Sequence, residues 1–388
     1  MTTTSHQTLP RYGLMLGNFA TGLAILLPAG MLPVLAEGLD VGIREAGLLV
    51  TYGAVILCFG SPLVAWLTTR IDRRTLLVGS LAFMVVGQAA SAFAPNYATV
   101  LALRLAMVAG AAVFTPQAAS TIALLVPDKT RSGAIAFVFL GWSLAVACGL
   151  PLTTFVAAYA GWRGAFAVGA LAALLPAVLL MFALPRELRG PPLSLHSFGV
   201  LARSRKIVLL LAITICSLAS QLIVFVYLAP LLQALAGGSH QVIGLMFALF
   251  GVMGFAGNIV ATRIVGRLGG WRTSGLFLGC TLTGLLLWSF GAGYLPAMGA
   301  GIAFIGLGFA ATNSMQQARL VQAAPDLSSA SVALNTSGVY VGQAIGSGVG
   351  GVMFGLGWLH GIGFVGIAFI VTGLAVWRLT QDRAAVVN

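Results

Sequence analysis

Residues 207–236 read IVLLLAITICSLASQLIVFVYLAPLLQALA, thirty positions without a charged side chain, entered directly from Arg203-Ser204-Arg205-Lys206. A hydrocarbon core of about 30 Å takes about 20 apolar residues of α-helix to cross. Within lipid, every backbone amide must be bonded inside its own segment. A barrel strand would alternate over about 10 residues, so this run is a helix that spans a membrane.

The same signal recurs outward in both directions. Runs at 12–36, 47–68, 75–94, 98–126, 133–160 and 164–184 precede it, and runs at 242–262, 273–293, 297–322, 329–356 and 362–379 follow it. The chain has 388 residues, 59% hydrophobic and 7% charged, which leaves no soluble core of comparable size. The predicted fold class is all-α and polytopic, with twelve transmembrane helices in two pseudo-symmetric six-helix bundles. The bundles are 1–184 and 207–388. Between them, 185–206 starts at Pro185, contains Pro191 and Pro192, and sets five basic residues against Glu187, so it reads as a cytoplasmic linker.

The net charge of +12 follows the gaps rather than forming a basic stripe with interleaved aromatics, so no nucleic-acid partner is expected. Both termini and the gaps 69–74, 127–132, 185–206 and 263–272, placed on one side, collect most basic residues there and leave mainly Arg44 and Arg163 opposite. The positive-inside rule then predicts cytoplasmic termini in a bacterial inner membrane. The first run lacks an A-x-A-like cleavage site and reads as a retained span. Trp66, Trp162, Trp271 and Trp358 fall at span ends, where the headgroup layer suits an indole ring. Cys58, Cys148, Cys216 and Cys280 lie inside apolar runs and read as buried thiols.

Several residue patterns point to movement of a solute. Gly338, Gly342, Gly346 and Gly350 recur every fourth residue in span eleven, baring one face for another helix, as either a packing seam or a sliding surface. Pro28, Pro33, Pro116, Pro151 and Pro230 each remove a helical hydrogen bond within a span. Arg104 lies well inside span four and is either functional or paired with Glu37 or Asp40, while Arg319 can snorkel. No Asp, Glu or His lies mid-span, which leaves a buried proton relay without a candidate. Asn18, Thr21, Gln117, Trp142, Gln221, Tyr227, Asn258, Asn313, Gln316, Gln317, Asn335, Tyr340 and Gln343 are the neutral polar candidates. With Arg104 they describe a polar, mildly electropositive cavity suited to neutral or anionic solutes. A G-x-x-x-x-G-K-[ST] loop and H-E-x-x-H are both absent, so neither ATP drive nor an intramembrane enzyme is expected, and no cofactor or metal is called for.

Several stretches resemble the major facilitator superfamily, in particular its twelve-span efflux branch of drug:proton antiporters and arabinose, nucleoside and chloramphenicol exporters. They are Ser61-Pro62-Leu63 leading to Arg70-Ile71-Asp72-Arg73-Arg74, Arg104, Gly149-Leu150-Pro151, Gly161-Trp162-Arg163-Gly164-Ala165-Phe166, and Ala333-Leu334-Asn335-Thr336-Ser337. The resemblance implies a gate latch at Arg70, Asp72, Arg73 and Arg74, a coupling-region role for Arg104, and an antiporter bend at Gly149 and Pro151. Apart from the resemblance, Gly338, Gly342 and Gly346, as a sliding surface, would serve conformational change. Thr69 stands where the loop motif has an acid, Asp72 where it has glycine, and Ile25 where span one of this branch often has a carboxylate. Coupling is thus left to Glu37 or Asp40, to the substrate's own charge, or to none. The expected function is a monomeric secondary transporter that exports a small polar or amphipathic compound by alternating access with H+ as coupling ion, or an importer or facilitator of the same fold.

Overall fold

The computed structural model describes residues 5–68, 71–188 and 195–381, and among them all regular structure is helical. Nine helices there are long and apolar enough to cross a membrane. Two of these, 133–183 and 240–290, hold two passes each, divided at Gly161 (φ 70°) and Gly269 (φ 76°). With Ser328–Gly355 the arrangement accommodates the twelve expected spans. The positive φ is a conformation that glycine adopts without a Cβ penalty. At Gly269 it lets the helix reverse inside the stretch expected as an eight-to-nine gap at 263–272.

Proline sets where the central spans break. Span one runs Ser5–Gly30 and resumes as Leu32–Gly38, with Pro28 and Pro33 on either side of Met31. Span four divides into Tyr97–Ala111 and Phe114–Leu125 beside Pro116, and span seven into Arg205–Phe225 and Leu228–Ala236 beside Pro230. In span five a π-turn at Ala145–Gly149 precedes Pro151. Each follows from a missing N–H and a ring that crowds the carbonyl four residues earlier. A helix at Leu195–Arg203 in the linker, not anticipated from its prolines, packs on spans seven and eleven.

Spans five and eleven carry two small-residue faces each. A Cβ on Gly342 would stand 2.6 Å from the Ile215 carbonyl, and one on Gly350 2.9 Å from that of Ile223, so span eleven lies on the backbone of span seven. Gly141 presses on Met15 and Phe19 in the same way, seating span five on span one. The glycine ladder is therefore a seam within one bundle. The other faces meet across the bundles: span eleven packs along span two, and Ala147 of span five meets Gly251 of span eight.

Residues 20–32 of span one and 217–232 of span seven are buried at every position, so they are enclosed on all sides. Both lie toward the face that carries the 39–42, 237–239 and 356–360 turns, called here the far face. Toward the opposite face, where the linker runs, burial in both spans becomes intermittent. The bundles are closed against one another on the far face.

Two sequence readings change. Trp162 is 3% exposed, packed on Gly38 and edge-on to Phe166 at 5.9 Å, because the Gly161 turn directs it inward rather than to the headgroups. Cys148 is exposed, and Cys58, Cys216 and Cys280 are half-buried.

Gly342→Ala forces its Cβ against backbone that cannot yield, and is expected to destabilise by about 1–3 kcal/mol. Gly338→Ala, with 3.7 Å to Leu211, is expected to be neutral. Thermal unfolding of the two purified variants in detergent checks the difference.

Candidate functional site

The middle of the first bundle is held by Arg104, which is 1% exposed. Its Nη1 donates to the Ala24 carbonyl at 2.9 Å, its Nε to Leu49 at 2.9 Å, and its Nη2 to Ile25. The Ala24 carbonyl lacks its helical partner because Pro28, four residues on, has no N–H. Arg104 thus supplies a donor to a carbonyl that Pro28 orphaned and ties spans one, two and four together. Its donors go to backbone rather than to Glu37 or Asp40. Both acids are exposed at the far-face end of span one, Asp40 with a φ of 53°.

Two uncharged polar clusters sit at mid-depth. In the first bundle the Trp142 indole N–H donates to the Thr115 hydroxyl at 3.3 Å, that hydroxyl donates to Asn18 Oδ1 at 2.8 Å, and Asn18 Nδ2 donates to the Val138 carbonyl at 3.1 Å. In the second, Thr214 donates to Asn335 Oδ1 at 2.8 Å, and Asn335 Nδ2 donates to Asn313 Oδ1 at 2.9 Å. They use spans one, four and five, then seven, ten and eleven, corresponding positions in the two bundles. Thr115, Trp142 and Asn313 are only half-buried, so each cluster keeps an open edge. Amides, hydroxyls and an indole can exchange hydrogen bonds with a hydroxylated solute and offer one flat apolar surface to it.

The other candidates lie apart from these clusters. Thr21 bonds the Gly17 carbonyl and approaches Met84 in span three. Gln117 reaches Thr68 near the linker face at 3.4 Å. Gln221 bonds Ser217 and Thr281 inside the second bundle, each at 3.1 Å. Gln316 accepts from Arg319 at 3.2 Å, and Arg319 also bonds Thr380. Tyr340 and Gln343 are buried in span eleven, while Asn258 and Gln317 are half-buried. Thr115 and Thr214 complete the clusters but were not singled out from sequence, since a threonine in a span carries no signal of its own. Gln88, fully buried with neither amide atom partnered, was missed likewise.

Tyr227 belongs to the far-face closure. Its hydroxyl donates to the Ser347 carbonyl at 3.0 Å and presses on Gly47 of span two. Ser347 and Thr51 share a hydrogen bond at 2.9 Å, and the Arg44 side chain lies along Gly351 and Gly355; nearer the linker face, Ser337 donates to the Cys58 carbonyl at 3.0 Å, a further contact between spans eleven and two. Gly149 faces Phe19 and Leu23 of span one, and Pro151 faces Gly244 of span eight at 4.0 Å. Arg163 donates to the Ala94 carbonyl at 3.2 Å from beside Trp162.

In the two-to-three loop, Arg70 lies outside the described residues. Asp72 caps span three, accepting from the Thr75 amide at 3.0 Å and hydroxyl at 3.2 Å. Burial raises its carboxyl, but these bonds and the nearby amides of Leu188 and Glu187 outweigh that and hold it below the usual carboxylate range. Arg73 is buried, its amide bonded to the Leu188 carbonyl at 2.9 Å, and Arg74 is half-buried. This contact ties the linker's first residues to span three.

The family model described as Major Facilitator Superfamily matches residues 14–334. The chain is 29% identical over 404 residues to the uncharacterized MFS-type transporter YtbD of Bacillus subtilis (strain 168), covering 99% of each. It is 30% identical to the inner membrane transport protein YdhP of Escherichia coli (strain K12), covering 95% of this chain and 94% of that one. A probable sugar efflux transporter of Pasteurella multocida (strain Pm70) is 26% identical, with 94% and 90% covered. Among solved structures, a bacterial homolog to the human lysosomal transporter Spinster, in an inward-facing and unoccupied conformation, superposes with a TM-score of 0.76 over 97% of each chain at 14% identity, a likeness of fold.

Arg104→Ala leaves buried carbonyls unpaired and is expected to cost about 3 kcal/mol or more. Adding Pro28→Ala returns an amide to the Ala24 carbonyl and should recover about 1 kcal/mol, a coupling that thermal unfolding of the four-member cycle reads directly. Strict additivity would remove the proposed link. Asp72→Ala loses a helix cap worth about 1 kcal/mol. Because the folded carboxyl is depressed, its contribution is present above the ordinary carboxylate pKa and fades as pH falls through the lowered value, so the gap from wild type should narrow in acid.

Proposed function

Since the chain belongs to the Major Facilitator Superfamily and is a multi-pass membrane transporter rather than an enzyme, we propose that it exports a small, uncharged, hydroxylated or amphipathic compound. The observation that carries this is the pair of open-edged amide, hydroxyl and indole clusters at corresponding depths in the two bundles. Arg104 is buried and bonds backbone carbonyls instead of facing either cluster, so the side chains a solute would meet there are uncharged. The Pasteurella relative, a probable sugar efflux transporter, fits such a solute, and sugars and their glycosides are the first panel to try.

Residues 1–184 and 207–388 act as two bundles of one monomer that rock about the centre, linked by 185–206. By the positive-inside rule the linker face is cytoplasmic, so closure on the far face makes this the inward-facing state. Opening outward requires breaking the Thr51–Ser347 bond and lifting Tyr227 from Gly47. Glu37 and Asp40, exposed near that closure, are the acids available to couple H+ to the cycle.

In proteoliposomes with a proton gradient, the wild type should move at least one neutral sugar or glycoside outward relative to the cell. Trp142→Ala or Asn335→Ala should raise its KM about tenfold, one lost buried contact each. A Thr51→Cys/Ser347→Cys pair should crosslink under oxidation and arrest flux until reduced. Flux confined to anions, or flux unaffected by the crosslink, would overturn the reading. Uptake in place of export would reassign the direction.

A further inference from the structure

Most basic residues gather toward the linker face, whereas Arg44 stands on the far face, second residue of span two, Ile43–Leu67. A cation is poorly placed there with respect to its own helix, whose first turn carries partial positive charge from unpaired amides. Glu45 beside it suits that end, and Arg44 does not. Its side chain crosses to the other bundle instead. A Cβ on Gly355 would stand 3.0 Å from Arg44 Cδ and 3.7 Å from its Cβ, and one on Gly351 would stand 3.8 Å from its Cγ. The stem therefore lies in a groove that glycine leaves open, and the carbon that bears the guanidinium group rests over the last residue of span eleven.

Span eleven ends at Gly355. The chain turns away through Gly357 at φ 74°, whose amide donates to the Phe354 carbonyl at 3.0 Å, and the Trp358 amide donates to that of Met353 at 3.0 Å. A helix end of this kind carries partial negative charge. With the far face closed, Arg44 sits between the positive end of its own helix and the negative end of a helix in the opposite bundle. When the bundles part, only the unfavourable neighbour remains. A charge that interacts differently with two states biases the equilibrium between them. Arg163, the other far-face arginine, lies over the Trp162 ring and donates to the Ala94 carbonyl, both in the first bundle, so it carries no such bias.

We propose that Arg44 is an electrostatic latch on the far face, holding the inward-facing state through the C-terminal end of span eleven and setting how often the protein opens outward. The latch rests on the reading above that the far face opens during transport. The Thr51–Ser347 bond and Tyr227 hold the same seam by short-range contacts. Arg44 adds an exposed charge, so its share of the closure weakens with salt.

The test needs no solute. In the full chain with its four cysteines replaced by serine, Gly348→Cys places a thiol on the seam, since a Cβ there stands 3.5 Å from the Thr51 methyl, an ordinary contact. In right-side-out vesicles, an uncharged, impermeant polyethylene glycol maleimide added outside reaches this thiol when the far face opens. Arg44→Met keeps the unbranched stem and removes the charge. It should label about threefold faster, the size of one exposed charge at a helix end. Arg44→Lys and Arg163→Met should label at the wild-type rate. High salt should bring the wild type to the Arg44→Met rate and leave that variant unchanged. Equal rates in wild type and Arg44→Met, or an equal rise in Arg44→Lys or Arg163→Met, would overturn the latch while leaving the alternation standing. No labelling in any of the proteins would overturn the alternation itself, and the latch with it.

Discussion

The structure depends on the rule that no backbone polar group can be left unpaired in lipid. Span one must bend to close the far face, and Pro28 makes the bend by withholding an amide from the Ala24 carbonyl. That carbonyl would destabilise the helix were it not met by Arg104, whose planar fork also reaches Ile25 and Leu49. One cation thereby permits a kinked helix at the centre of the membrane and fixes three spans around it. An arginine suits this task because its several donors diverge in a plane, whereas a lysine would present one point of charge.

Around that centre, glycine lets helices approach to backbone contact, within the bundles and between them. Where Gly342, Gly346 and Gly350 lie on span seven, and Gly141 on span one, backbones touch and the contact cannot slide without losing its fit. Across the bundles span eleven packs along span two as extensively as it packs on span seven, Gly251 of span eight sits on the Ala147 backbone of span five, and polar contacts lie among them: Thr51 with Ser347, Tyr227 over Gly47, and Arg44 along Gly351.

Much of this was legible in the chain. The apolar runs predicted the spans closely, since span length is set by bilayer thickness rather than by side-chain detail. Pro28, Pro33, Pro116, Pro151 and Pro230 marked where helices bend or break, whereas Pro176 lies inside span six without a break. The site was less legible. Asn18, Trp142, Asn313 and Asn335 stood out as polar residues in apolar runs, but so did Thr21, Gln117 and Gln221, which bond elsewhere in the same bundles, apart from the two clusters. Helical periodicity says which residues share a face, and not which neighbour that face meets.

The sequence by itself determined the membrane class, the helical fold and the places where helices bend, because lipid forbids unpaired backbone and proline removes a donor wherever it stands. Only the tertiary structure decided that Arg104 serves Pro28's orphaned carbonyl rather than an acid, that the glycine ladder is an internal seam, and that Tyr227 closes the far face. Those outcomes depend on helix rotation and on contacts between residues more than fifty apart in the chain, which local composition does not encode.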